Sequence, residues 1–122
     1  MERKLFNYWR KKLNLSDWTI KFEFNVDPDD MAIEGACGAT SFVESCKSAI
    51  VQIVDPNKME DGIVPFNLEE TIVHELLHLK LSLITTGSDA MTERVGHQII
   101  DDLSKSFVAT RKDHEIKGEN KQ

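Results

Sequence analysis

The chain has 122 residues, of which 40% are hydrophobic and 30% charged, and its formal net charge is −6 at pH 7. This size and composition predict one globular domain whose core needs no disulfide. The acidic balance argues against binding to nucleic acid or to an anionic membrane, since both require a basic surface. The sequence shows neither an export signal nor a membrane-spanning apolar run, so we expect a cytoplasmic protein with Cys37 and Cys46 as reduced thiols.

The first half of the chain predicts a helix followed by a small sheet. Residues 2–14 have the apolar spacing of a helix, and residues 18–26 alternate between apolar and polar side chains as a half-buried strand does. Two further strands are predicted, from Ala39 to Glu44 and from Ser48 to Asp55. With two helices after them, the expected fold class is α+β, with a three- to four-stranded mixed sheet between an N-terminal helix and two C-terminal helices.

The two C-terminal helices are predicted from their capping residues. Asn67 is a favourable N-cap for a helix over residues 68–85. Ser88 or Asp89 caps the next helix, which we expect to continue to about residue 109.

The first of these helices carries a single polar stripe. On a helix that turns about 100° per residue, five polar side chains fall on one arc. They are Thr71, His74, Glu75, His78 and Ser82. The rest of the circumference is apolar apart from Lys80, so we expect the helix to be buried almost all round. Buried polar side chains need partners, and a metal ion would provide one.

Within this stripe, the residues from His74 to His78 form the pattern His-Glu-x-x-His. Two imidazoles one turn apart can both ligate a tetrahedral zinc ion, and Glu75 can then take a proton from the zinc-bound water as general base. The ordinary alternative is a pair of histidines satisfied by hydrogen bonds in the core. We favour zinc, because the pattern coincides with the polar stripe of a well-capped helix.

A catalytic zinc site needs a third protein ligand and an open fourth position. The candidates on the following helix are Asp89, Glu93 and His97. Glu93 is favoured, since an antiparallel return of the chain brings it near the first helix and it shares an inward face with His97. His97 is the second choice as ligand, and is otherwise a catalytic residue that donates a hydrogen bond to the reacting carbonyl. Asp89 is less favoured because it is also an N-cap candidate.

The motif from His74 to His78, followed by Glu93 on the next helix, resembles the gluzincin clan of zinc metallopeptidases, and in particular its minimal single-domain members from phages and prokaryotes. The resemblance implies a zincin-like fold with His74, His78 and Glu93 as zinc ligands and Glu75 as catalytic base and acid. It also implies an extended peptide substrate along an edge strand of the sheet, here the strand from Ser48 to Asp55.

The expected function is therefore zinc-dependent hydrolysis of a peptide bond. The alternative is a zincin-fold binding or regulatory module without turnover, because the chain lacks a second domain to wall off the other side of a cleft. We expect residues 1–110 to form the single domain and residues 111–122 a mobile, charged tail. Such a tail could hold the enzyme latent by covering the site.

Overall fold

The computed structural model describes residues 2–59, 66–82 and 89–120, and it confirms the α+β class. In this part of the chain three helices accompany a three-stranded sheet: α1 (Glu2–Lys12), β1 (Thr19–Val26), β2 (Gly38–Val43), β3 (Ser48–Val54), α2 (Leu68–Lys80) and α3 (Ala90–Asn120). None of the helices described combines the length and the apolarity that a membrane crossing requires.

The sheet is mixed, and its strand order β1-β3-β2 places β3 in the centre. β3 pairs in parallel with β1 and antiparallel with β2. Its residues Val51, Ile53 and Val54 are at most 1% exposed, whereas Ile50 on its other face is 42% exposed. The prediction that the strand from Ser48 to Asp55 is a sheet edge for substrate is wrong, because the backbone groups on both sides of β3 already pair within the sheet.

The main core lies between one face of the sheet and the helices. Phe6 of α1 stacks on Phe22 of β1 with 4.2 Å between the ring centroids. Ile72 and Leu76 of α2 are completely buried in the same cluster. Lys21, on the other face of β1, is exposed. The predicted apolar face of β1 is buried at Phe22 but not at Phe24, which is 38% exposed where the pairing with β3 becomes irregular.

α2 begins at the predicted cap. The Asn67 Oδ1 atom accepts a hydrogen bond from the backbone N–H of Glu70 at 3.0 Å, which satisfies one of the unpaired donors at the helix start. The helix ends at Lys80, earlier than the predicted residue 85. The last part of that prediction falls on residues 83–88, which lie outside the described residues.

α3 also begins at a predicted cap but ends later than predicted. Asp89 Oδ1 accepts a hydrogen bond from the backbone N–H of Thr92 at 2.8 Å. The helix continues to Asn120 instead of ending near residue 109. Arg111, at the start of the segment predicted to be a mobile tail, makes two hydrogen bonds to the Glu69 carboxylate of α2. This segment therefore extends a helix that is anchored at the beginning of α2, away from the histidines.

Candidate metal centre

Two antiparallel helices bring three histidines together. Glu69 contacts Arg111 near the start of α2, and His78 lies beside His97 near its end, so the two helices run in opposite directions. His74 and His78 lie one turn apart on α2. The ring centroid of His97 is 4.9 Å from that of His78 and 5.8 Å from that of His74.

The three rings can supply nitrogen atoms to one metal ion. One ring nitrogen from each of His74, His78 and His97 lies within 4.8 Å of the others, and this is the only such group among the residues described. The two Nε2 atoms of His74 and His78 are 3.2 Å apart. Two nitrogens at about 2.05 Å from a tetrahedral zinc ion would be about 3.3 Å apart. The pair on α2 therefore already has the spacing of two zinc ligands.

The third candidate ligand in this arrangement is His97 rather than Glu93. Glu93 and His97 are both exposed, but Glu93 lies one turn earlier on α3 and outside the histidine cluster. The structure groups His97, and not Glu93, with the two histidines of α2, so Glu93 as a zinc ligand stays a prediction. The physical reason is the register of α3 against α2. This register brings His97, and not Glu93 one turn earlier, next to His74 and His78.

Asp101 is a site residue that the sequence analysis did not identify. Its Oδ1 atom lies 2.8 Å from Nδ1 of His74. The Nδ1–H group donates to this carboxylate, which leaves Nε2 of the same ring free to bind a metal ion. The sequence contains a signal for this residue, because Asp101 follows His97 by one helical turn and so shares its face of α3.

The histidines of α2 are held in their neutral form. Burial lowers the pKa of His74, and the nearby Asp101 carboxylate opposes this effect only in part. Burial, together with the neighbouring His74 and His97, lowers the pKa of His78 to about 4. Metal ions bind neutral imidazole, so both rings are ready to ligate at neutral pH without first losing a proton.

Glu75 follows His74 in the chain, but its carboxylate lies against β2. Thr40 Oγ1 donates a hydrogen bond to Glu75 Oε1 at 2.7 Å. A Cβ atom added at Gly38 would lie 2.8 Å from Glu75 Cγ, so the glycine leaves the space that this side chain occupies. Burial raises the pKa of Glu75 to about 7, against the opposing effect of the Thr40 hydrogen bond. A carboxyl group with such a pKa can accept and return a proton at neutral pH.

The histidines and Glu75 line a groove of about 890 Å³. Apolar side chains such as Ile33 and Phe42 border it on the sheet side, and polar side chains such as Thr71 and Ser104 border it on the helix side. Ser82, the last member of the predicted polar stripe, lies instead in a separate recess of about 200 Å³. The polar stripe of α2 therefore lines the groove up to His78, and Ser82 lies outside it.

Comparison of the chain with models of protein families, with curated proteins and with solved structures finds no match.

Proposed function

We propose that the chain is a zinc-dependent peptidase in which His74, His78 and His97 hold the metal ion and Glu75 transfers the proton. The observation that carries this proposal is the convergence of three imidazoles beside a buried carboxyl group in a groove. Three protein ligands leave one tetrahedral position open, which is the pattern of catalytic zinc sites. Structural zinc sites usually fill that position with Cys or His, and Cys37 lies outside the cluster.

A bound zinc ion would supply Lewis acidity, which polarises an amide carbonyl and allows water to lose a proton near neutral pH. Glu75 accepts that proton as the water oxygen forms a bond to the carbonyl carbon. It then delivers the proton to the amide nitrogen as the C–N bond breaks, so one carboxyl group acts first as base and then as acid. Thr40 holds the carboxylate in place during both transfers, and Asp101 holds the ring of His74.

The proposed substrate is an extended peptide that lies along β2 instead of β3. β2 is at an edge of the sheet, and two of its residues, Gly38 and Thr40, contact Glu75. A peptide added to this edge would form main-chain hydrogen bonds with β2. Its scissile amide would then pass through the groove that contains the histidines.

The relationship to the gluzincin clan remains part of the proposal. The motif from His74 to His78 and the base Glu75 agree with that clan, whereas a third histidine ligand departs from its glutamate. We therefore propose the zincin type of chemistry with His97 of α3 as the third ligand.

The test is a comparison of Glu75→Gln with Glu34→Gln, which removes the charge of an exposed carboxylate outside the groove. Zinc content and cleavage of casein and of a peptide library are measured for both variants and the wild type. Glu75→Gln is expected to keep its zinc and to lose about 10²–10⁴-fold in cleavage rate, whereas Glu34→Gln retains both. One zinc per chain without any cleavage by the wild type would indicate a binding module, and no zinc would contradict both readings.

A further inference from the structure

The first ten residues of α3 carry His97 but contribute nothing to the core. None of residues 90–99 is buried, and the outward-facing Met91 and Val95 are 71% and 47% exposed. The first buried side chain of the helix is Ile100. His97 therefore lies on an exposed part of α3, and the buried contacts of this helix are made farther along it.

Farther along α3, Arg111 contacts a buried carboxylate of α2. Glu69, in the first turn of α2, is 5% exposed. Arg111 of α3 donates to one carboxylate oxygen from Nε at 2.5 Å and to the other from Nη2 at 2.6 Å. Trp9 of α1 donates to the same group from its indole N–H at 2.8 Å. One carboxylate thus ties the three helices together, and it holds α3 through a bidentate contact.

Ile100 and Val108 of α3 pack in the core, and the bidentate contact adds a directional restraint on the axial position of the helix. A guanidinium group matches a carboxylate in one geometry, whereas apolar burial is non-directional. A slide of α3 by four residues, about 6 Å, would place Glu93 where His97 lies. The same slide would place Phe107 opposite Glu69 in place of Arg111. That register would leave a buried carboxylate without its cation, which is strongly destabilising.

We propose that Arg111 is a positioning residue of the metal centre: its contact with Glu69 fixes the register at which α3 offers His97, rather than Glu93, to the histidines of α2. The inference rests on the proposed metal site. It adds a physical reason why α3 offers His97, and not Glu93, as the third ligand.

The first experiment measures zinc affinity and the visible spectrum of bound Co²⁺ in Arg111→Ala and Lys112→Ala. Lys112 is the matched control, because it is exposed and acts on Glu69 only through its charge. We expect about tenfold weaker zinc binding for Arg111→Ala, in line with the loss of other supporting residues around metal sites. Its Co²⁺ spectrum should also change, because a carboxylate oxygen replaces a ring nitrogen, whereas Lys112→Ala retains the wild-type affinity and spectrum. Arg111→Lys keeps the charge but lacks the planar fork, so it should behave like Arg111→Ala.

The second experiment is a double-mutant cycle with Glu93. Glu93→Ala should leave zinc affinity unchanged in the wild-type background and weaken it in the Arg111→Ala background. Equal effects of Glu93→Ala in the two backgrounds would overturn the inference, as would an Arg111→Ala protein with the affinity and spectrum of Lys112→Ala. These results concern Arg111 alone, whereas a wild-type protein that binds no zinc would contradict the proposed function itself.

Discussion

α2 and the first ten residues of α3 meet at the same three histidines but are supported in different ways. Seven of the thirteen residues of α2 are buried, whereas none of residues 90–99 is. His74 and His78 are therefore held by core packing on either side of them, and His97 is held by contacts that lie beyond it in the chain. The comparison shows that two candidate ligands lie on a helix packed along its length, whereas the third lies on an exposed segment whose helix enters the core only from Ile100 onward.

The largest expected difference between the two regions is in stability. Leu76→Ala removes a completely buried side chain of α2 and should lower the free energy of unfolding by about 2–5 kcal/mol. Val95→Ala, on the exposed part of α3, should change it by no more than about 0.5 kcal/mol. Urea denaturation of both variants measures the difference. Comparable losses in the two would show that residues 90–99 are packed against other parts of the chain.

The next effect concerns the ligand from α3. His97→Ala removes one of three proposed ligands and should weaken zinc binding by about 100-fold or more. Glu93→Ala removes an exposed side chain one turn away and should leave the affinity unchanged. Competition with a chromophoric chelator measures both. Weaker binding by Glu93→Ala alone would show that the ligand favoured from the sequence is the true one.

Much of the fold could be predicted because it depends on local patterns. The Asn67 cap and the apolar circumference of α2 are local, and the structure confirms them. The alternation in β1 is matched only in part, because Phe24 is exposed. Strand order is not local, and the edge position predicted for β3 was wrong. The nearly continuous apolar run from Ala49 to Val54 was the available indication of a central strand.

The site could be predicted only where one helix contains it. His74, Glu75 and His78 lie within a single turn and a half, so spacing alone was enough to group them. The choice between Glu93 and His97 depends on how α3 lies against α2, which is determined by tertiary contacts such as that of Arg111 with Glu69. Those contacts join residues about 40 positions apart, beyond the reach of any helical periodicity.

A smaller effect is expected at Asp101, which connects the two regions. Asp101→Asn keeps the size of the side chain but weakens its hold on Nδ1 of His74, so zinc affinity should fall about 10-fold. Asp102→Asn, at the exposed neighbouring position, is the matched control and should have no effect. If the two variants bind zinc equally well, the contact between Asp101 and His74 does not support the metal site.

The smallest effect is the pH dependence contributed by Glu69. Burial raises the pKa of this carboxyl group, but the hydrogen bonds from Arg111 and Trp9 more than offset it, so its pKa in the folded protein lies below the ordinary value. Its stabilising contribution is then present above the unfolded-state pKa of about 4.3 and is lost as the pH falls through the lower, folded-state pKa.

The measurement is the free energy of unfolding of the wild type and of Glu69→Gln at several pH values. The wild type should be the more stable protein at pH 7, and its advantage should shrink below pH 4.3 or so. An advantage that stays constant across this range would mean that the charge of Glu69 makes no contribution.

The central claim is that three histidines bind one zinc ion, and the metal content of the purified chain tests it most directly. Wild-type protein prepared without chelators and analysed by mass spectrometry for metals should contain one zinc ion per chain, and His78→Ala prepared in parallel should contain none. A wild-type protein without zinc, or a His78→Ala protein with as much zinc as the wild type, would contradict the account.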